Sequence, residues 1–374
     1  MPIEPVLSPD LAGFSCLRCD TLHPVGDWFR GCPSCWESGS PANLRARYGE
    51  GRHGTASEAA VPYSCDFGTL TPGNTALIAC PPSIAGGLDI RLKCEFQNPT
   101  GSHKDRCSAQ SVARAKAAGY HTVIAASSGN AGVSLAAYAR AAGLACEIAI
   151  SAAIIDSYRQ ELEELGARCL VFETGIERWH WMEQRVEDPG VYAATNFALP
   201  AVGSSPFGIE GYKAIAHEIR DQLEGRLPAA IAVPHCRGDV LAGIAYGLAE
   251  IAGEGGTLPR LVAVDPFPRT AQILSGVWPV SAEIEGDAAL LPAIGGGTTT
   301  FQSIRAVRAT QGLATSVSGE VAEAMRLRFL SEGLDLERSA VVSVIALRDL
   351  AAEGKVPTDQ PLVALLTGKG REGI

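Results

Sequence analysis

Short runs of apolar residues alternate along the chain with segments in which apolar residues recur every three or four positions. A short apolar run predicts a buried strand, and the wider spacing predicts an amphipathic helix. Predicted strands occupy residues 122–126, 144–150, 167–172, 229–233, 261–266 and 361–366. Predicted helices occupy residues 104–117, 157–165, 240–251 and 321–330, and three further ones end near residues 143, 223 and 350. Strands that alternate with helices at this spacing indicate βαβ units, so the sequence predicts an α/β fold with parallel sheets.

The nine residues 98–106 form a predicted turn that opens the first of these helices. A proline and a glycine favour the turn, and Ser102 is a residue type that caps helix amides. Lys104 therefore lies in the first helical turn, close to Arg106. A lysine near another cation loses its proton more easily and can then form a Schiff base. The alternative is an ordinary solvated surface lysine.

Two further loops lead from a predicted strand into a predicted helix. The first contains Ser127, Ser128, Gly129, Asn130 and Ala131. Backbone amides at such a helix start point toward a ligand, and the helix dipole favours negative charge, so the loop is a candidate anion site. The alternative is an ordinary connection between a strand and a helix.

The second loop runs from His235 through Cys236, Arg237, Gly238 and Asp239 into the helix at 240–251. Glycine lets backbone amides approach a phosphate closely, and arginine can pair with phosphate oxygens or point to solvent. We interpret His235 as a residue at the end of a strand rather than as a catalytic base. The glycine-rich segment 295–297 lacks the lysine and hydroxyl pair of a P-loop, so we expect a flexible loop there.

The segment 98–106 resembles the cofactor-lysine motif N-P-T-G-S-x-K-D-R of the threonine synthase family, which belongs to the tryptophan-synthase-like (fold type II) pyridoxal phosphate enzymes. The resemblance covers roughly residues 60–374. It implies that Lys104 holds the cofactor and that Asn130 lies beside its phenolic oxygen. It also implies that residues 127–131 bind the substrate carboxylate. Residues 236–239 stand where the family has its phosphate cup, and Thr367, after the last strand, stands where a hydroxyl faces the pyridine nitrogen.

The same resemblance implies a lyase or replacement enzyme that acts on a small amino acid, with O-phosphorylated amino acids among the candidates. A serine/threonine ammonia-lyase is the alternative within the class. A non-catalytic, zinc-bearing binding protein on the same scaffold is the alternative outside it. The implied fold has a large domain, formed by residues 61–106 and 191–374, and a small mobile domain at 107–190.

Four cysteines near the N-terminus form two Cys-x-x-Cys pairs with twelve residues between them: Cys16, Cys19, Cys32 and Cys35. Four thiolates at this spacing suit a tetrahedral structural zinc site. Two disulfides, or a ribbon that has lost its metal, are the alternatives. We predict a zinc ribbon at residues 1–40, followed at 41–60 by a linker or an arm packed across the surface.

Composition and charge indicate which kinds of binding partner and which cellular location to expect. A net charge of −10 without a basic run argues against nucleic-acid binding, even by the ribbon. No segment approaches the roughly 18 apolar residues of a membrane span. The first residues lack a basic, apolar leader, and eleven cysteines without such a leader indicate reduced thiols, so we expect a cytoplasmic protein. The resemblance implies a homodimer.

Overall fold

A computed structural model describes residues 4–49, 59–253 and 256–371. Within these residues the chain forms fifteen strands: β1 (Val6–Leu7), β2 (Leu11–Cys16), β3 (Leu22–His23), β4 (Leu44–Tyr48), β5 (Tyr63–Ser64), β6 (Leu77–Ala79), β7 (Ile90–Lys93), β8 (Thr122–Ala126), β9 (Ala145–Ser151), β10 (Arg168–Phe172), β11 (Val191–Ala193), β12 (Ala230–Pro234), β13 (Arg260–Asp265), β14 (Leu313–Ser316) and β15 (Leu362–Leu365).

The same described residues form thirteen α-helices: α1 (Pro33–Glu37), α2 (Pro82–Ala85), α3 (Lys104–Ala117), α4 (Asn130–Ala142), α5 (Asp156–Glu164), α6 (Gly175–Arg185), α7 (Pro206–Glu210), α8 (Lys213–Gln222), α9 (Asp239–Ala252), α10 (Arg269–Leu274), α11 (Phe301–Ala309), α12 (Gly319–Ser331) and α13 (Arg338–Ala352). The strands and helices that the apolar pattern predicts are all present within one or two residues of the expected bounds. Helices α1, α2, α6, α7, α10 and α11 were not predicted.

The described residues divide into two compact units. One unit comprises 4–49, 60–73 and 98–212, and it contains a four-stranded parallel sheet in the order β10-β9-β8-β11. Strands β8 and β11 are buried and consist mostly of apolar residues, as expected for a parallel sheet that is covered on its faces. Ile124, Met182 and Phe197 belong to a core cluster beside this sheet.

The other unit comprises mainly residues 74–97 and 213–371, and its sheet has six strands in the order β14-β13-β12-β15-β7-β6. All neighbours in this sheet are parallel except β6 and β7. Helix α13 packs on β12 and β15, and Val341, Leu347 and Phe329 are fully buried in the core cluster there. Because β12, β13 and β15 are parallel, the residues that follow them lie along one edge of the sheet, where ligands bind in open α/β sheets.

The N-terminal cysteine segment forms a small antiparallel sheet in the order β3-β2-β4. Strand β4 lies at 44–48, inside the segment expected to be a linker or arm. Leu44 and Ala46 are buried, whereas Arg47 is exposed, and this alternation explains the pairing with β2. The structure thus extends the ribbon sheet beyond residue 40, while 50–58 of the expected linker lie outside the described residues. The other predicted domain boundaries stay a prediction.

Among the described residues, no helix is both long enough and apolar enough to cross a membrane.

Candidate active site

The turn that precedes α3 is closed by a buried carboxylate. Asp105 accepts hydrogen bonds from the backbone amide of Thr100 (2.7 Å) and from the Thr100 hydroxyl. Gly101 adopts a φ of 87°, a left-handed conformation that glycine reaches without strain. The Ser102 hydroxyl accepts a hydrogen bond from the Lys104 amide at 3.3 Å. His103, not Ser102, occupies the N-cap position of the helix, and its side chain makes no capping hydrogen bond. The turn therefore places Lys104, half-buried, as the first residue of α3.

The loop between β8 and α4 is held by its two serines. Ser127 Oγ accepts from the amides of Gly129 (3.3 Å) and Gly132 (3.0 Å). Ser128 Oγ accepts from the Ser151 amide (2.6 Å) and from Arg178 Nη1 (3.3 Å). Ser127 thus holds the loop from within, whereas Ser128 joins it to Ser151 and Arg178. A carboxylate at this loop would meet the backbone amides at the start of α4.

Asn130 is the first residue of α4 and is buried. Its side-chain oxygen accepts from the Tyr158 hydroxyl at 3.1 Å, which fixes the amide orientation. Helix α4 packs on α3, and Ser134 Oγ donates to Ser108 Oγ at 2.8 Å. Each of these serines lies four residues after the start of its helix, about one turn. Lys104 and Asn130 therefore each lie about one helical turn before the hydrogen bond between Ser108 and Ser134. Both residues belong to the same compact unit.

The loop between β12 and α9 belongs to the other unit. Gly238 caps α9 with a φ of 76°, and a Cβ atom added there would lie 2.2 Å from Ser303 Cβ and 2.9 Å from His235 Nε2. Both the backbone conformation and the available space therefore require glycine. The Arg237 carbonyl accepts from the Thr300 hydroxyl at 2.6 Å, and Asp239 Oδ1 accepts from Gln302 Nε2 at 2.6 Å.

The segment 295–297 is a loop, as expected, and it packs against Cys236 and Arg237. A Cβ atom added to Gly296 would lie 3.0 Å from Cys236 Sγ and 3.2 Å from Arg237 Nη2. The three threonines Thr298, Thr299 and Thr300 are buried, and Thr300 caps α11. The start of α11 thus lies beside the start of α9. The only local signal for this arrangement is the Thr-Thr-Thr run before α11.

His235 is part of a buried cluster that the sequence interpretation missed. His235 Nδ1 lies 2.8 Å from Asp265 Oδ1, and Arg269 Nη2 donates to the same oxygen at 2.6 Å. The Thr270 amide donates to Asp265 Oδ2 at 2.8 Å. Burial opposes ionisation of Asp265, but its contacts with His235, Arg269 and Thr270 outweigh burial and lower the pKa of the carboxyl group. Arg269 Nη1 also donates to the carbonyl of Gly296.

Thr367 follows β15 and is buried in the unit that contains the β12–α9 loop. Its hydroxyl donates to Glu337 Oε1 at 3.0 Å. Glu337 occupies the N-cap position of α13. The sequence interpretation did not single out this residue. The structure thus separates the predicted residues into two groups. Lys104 and residues 127–131 lie in one unit, and residues 236–239 and Thr367 lie in the other.

The four cysteines of the ribbon have come together. Their sulfur atoms lie within 4.8 Å of one another, with 3.6 Å between Cys16 and Cys35 and 3.7 Å between Cys19 and Cys32. None of the four is in a disulfide. Zinc–sulfur bonds of about 2.3 Å in a tetrahedron imply sulfur separations of roughly 3.8 Å, close to these values. Hydrogen bonds with Thr21 lower the pKa of the Cys19 thiol to about 6, which favours the thiolate form, whereas burial raises the pKa of the Cys32 and Cys35 thiols.

Two backbone amides and one histidine lie around the sulfur atoms of this cluster. The backbone amides of Arg18 and Cys19 donate to Cys16 Sγ, at 3.3 and 3.5 Å. His23 Nε2 lies 3.4 Å from Cys32 Sγ. Donors around the sulfurs stabilise negative charge on them, as partners around metal ligands do. The cluster is compatible with a structural zinc site.

Comparison with known proteins identifies the family. The family model described as pyridoxal-phosphate dependent enzyme matches residues 68–368. The threonine synthase of a Bacillus species is 31% identical over 314 residues, which are 81% of this chain and 84% of that protein. The threonine synthase of a Synechocystis species is 31% identical over 310 residues, 81% of this chain and 78% of that protein.

A solved structure has the same fold. A threonine deaminase from the organism abbreviated T.th. superposes with a TM-score of 0.67 at 19% identity, over 81% of this chain and 94% of that one. The cysteine ribbon lies outside the part that the family model matches. The length of the family match and the identity to the threonine synthases lead to one conclusion: this chain belongs to the threonine synthase-like family of fold type II pyridoxal-phosphate dependent enzymes.

Proposed function

We propose that the protein is a lyase or replacement enzyme that removes or exchanges a substituent of a small amino acid, with O-phosphorylated amino acids among its candidate substrates. The observation that carries this proposal is the turn at 98–106, in which Asp105 and Thr100 place Lys104 at the start of α3. Family membership supports an enzyme rather than a non-catalytic binding protein.

The described residues fit the proposed cofactor. The β12–α9 loop combines a glycine in the left-handed region, two neighbouring helix starts and a fully buried His235 Nε2 atom that has no hydrogen-bond partner. Such a set of donors suits a phosphate group. We therefore assign Cys236, Arg237, Gly238 and Asp239 to the phosphate end and Lys104 to the aldehyde end of the cofactor.

When bound, pyridoxal phosphate draws electrons from the bonds of the substrate's α-carbon. Lys104 Nζ, which reacts only as a neutral amine, would hold the cofactor, and the same atom would move the proton at the substrate's α-carbon. The amides of Ser127–Ala131 and the positive end of α4 bind the substrate carboxylate. Asn130, with its orientation set by Tyr158, would be the residue beside the phenolic oxygen. Thr367, held by Glu337, would be the residue at the pyridine nitrogen.

A titration of the purified protein with amino acids tests this proposal. Pyridoxal phosphate is added, and the visible absorbance band of the bound cofactor is followed with O-phosphohomoserine, O-phosphoserine, threonine and serine. We expect one of them to shift the band and to release phosphate. We expect Lys104→Ala to abolish the band and to lower activity by at least about 100-fold, the usual range for a lost general base. Lys116→Ala, near the end of the same helix, is the control that keeps both.

The proposal fails if wild-type protein gives no band with added cofactor, or if Lys104→Ala keeps the band. Release of a keto acid from serine or threonine without phosphate would instead favour the second candidate, a serine/threonine ammonia-lyase. The similarity in fold to a threonine deaminase supports keeping that candidate. We further propose that Cys16, Cys19, Cys32 and Cys35 hold a structural zinc ion. The homodimer and the cytoplasmic location stay predictions.

A further inference from the structure

Buried polar side-chain atoms that lack partners occur in the β12–α9 loop and in two segments that pack near it. Among the described residues, His235 Nε2, Arg269 Nε and Thr298 Oγ1 are shielded from solvent and make no hydrogen bond. A buried polar atom without a partner costs free energy, so each such atom in a native protein requires an explanation. The three belong to three segments that meet at this loop, through Gly238, Cys236 and Gly296.

The position of His235 Nε2 is the most informative. A Cβ atom added to Gly238, the residue that caps α9, would lie 2.9 Å from Nε2, so this atom faces the start of α9. The ring is fully buried and cannot reach solvent for a partner. A group that enters at the start of α9 would therefore meet Nε2 together with the helix amides.

The partner on the other side of the ring determines what Nε2 can do. Asp265 is ionised and only accepts hydrogen bonds, so Nδ1 carries the proton that joins the two. In the neutral ring Nε2 then has a lone pair, which an anion would repel. In the protonated ring Nε2 donates. An anion at this place thus requires the protonated form of His235.

The surrounding charges are compatible with that form. The charged groups of this cluster are Asp265 on β13 and Arg269 on α10, with Arg237 and Asp239 on the loop. Asp265 and Arg269 form an ion pair and together are neutral. A protonated His235 would therefore add one buried positive charge, which is costly unless an anion neutralises it.

We propose that His235 is a phosphate-binding residue of the cofactor site. Oriented by Asp265, its imidazole binds the phosphate dianion together with one proton from the buffered solvent, and the protonated Nε2 donates to a phosphate oxygen. The inference rests on the proposed function, because the ligand is the phosphate of the cofactor bound at Lys104.

The test compares two ligands that differ only in this group. Dissociation constants of pyridoxal phosphate and of pyridoxal, which lacks the phosphate, are measured on cofactor-free protein by visible absorbance. The variants are His235→Gln, whose amide can reach the Nε2 position as a neutral donor, and His235→Asn, whose amide reaches only the Nδ1 position. We expect His235→Asn to weaken pyridoxal phosphate binding roughly 10- to 100-fold, and His235→Gln less. Pyridoxal binding should change by less than about twofold in either variant.

Nuclear magnetic resonance of ¹⁵N-histidine-labelled wild-type protein provides a readout that needs no variant. Pyridoxal phosphate should convert one histidine side chain to the doubly protonated form, and pyridoxal should not. Unchanged preference for pyridoxal phosphate in both variants, or a His235 ring that stays neutral in the complex, would overturn the inference. These results differ from failure of the proposed function, in which wild-type protein binds neither compound.

Discussion

Replacement of Gly238 by alanine tests whether the β12–α9 loop is built as described. Two separate penalties are expected. The φ of 76° costs a residue with a Cβ atom about 1–2 kcal/mol. The new Cβ atom would also lie 2.2 Å from Ser303 Cβ, far inside the carbon contact distance of about 3.5–4.0 Å. Overpacking of this kind typically adds about 1–3 kcal/mol.

A matched control separates these two penalties. Gly354, which follows α13 in the same unit, has a φ of 66° and no atom within 4 Å of an added Cβ. Gly354→Ala therefore carries the backbone penalty alone, and the difference between the two variants measures the overlap with Ser303. We expect Gly238→Ala to be less stable than Gly354→Ala by about 1–3 kcal/mol in urea unfolding of cofactor-free protein.

Cofactor binding provides the second measurement on the same pair. Relief of the overlap must move Gly238 or Ser303, and both lie beside His235 Nε2 and the start of α9. We expect Gly238→Ala to weaken pyridoxal phosphate binding by at least about tenfold, or 1.4 kcal/mol, and Gly354→Ala to leave it unchanged. The reasoning is refuted if the two variants are equally stable and bind the cofactor equally well.

Three other predictions concern sites away from this loop. Cys32→Ser should reduce bound zinc from about one ion per chain to near zero by metal analysis, whereas Cys65→Ser, outside the cluster, should retain it. Lys93→Met should cost about 3–5 kcal/mol in urea unfolding, because it leaves Glu218 buried without the ammonium that lies 2.6 Å away; a loss below about 1 kcal/mol would contradict this. Hydrogen bonding to Arg326 lowers the pKa of Glu323 to about 2 from 4.5, so the stability it contributes is present above pH 4.5 and is lost as pH falls toward 2. Glu323→Gln should remove that part of the acid sensitivity, and an identical acid transition in wild type and variant would refute it.

Much of the fold follows from local patterns in the sequence. The bounds of β8 agree with the apolar run at 122–126, and α3 ends two residues before Gly119 as its spacing predicts. The motif around Lys104 was also readable, because its turn is closed by residues only five positions apart, Thr100 and Asp105. Helix α6, by contrast, was missed although Thr174 and Glu177 form a capping box.

The surroundings of the candidate site could not be inferred in this way. His235 alone resembles a residue at the end of a strand, and its partner Asp265 lies 30 positions later on a neighbouring strand. Gly296 lies beside Cys236 and Arg237, which are 59 or more positions away in the sequence. The sequence therefore contained no indication that the loop at 295–297 packs against the β12–α9 loop. The sequence interpretation of the linker likewise lacked the pairing of β4 with β2.

The sequence by itself determined the longer buried strands and most of the longer helices, the family, and the lysine at the start of α3. These properties depend on residue periodicity and on contacts within a few positions, which a linear pattern contains. Only the tertiary structure decided that Asp265 orients His235, that Glu337 holds Thr367, and that four cysteine sulfurs meet. Those contacts join distant segments, and their geometry depends on how sheets and helices pack rather than on any local preference.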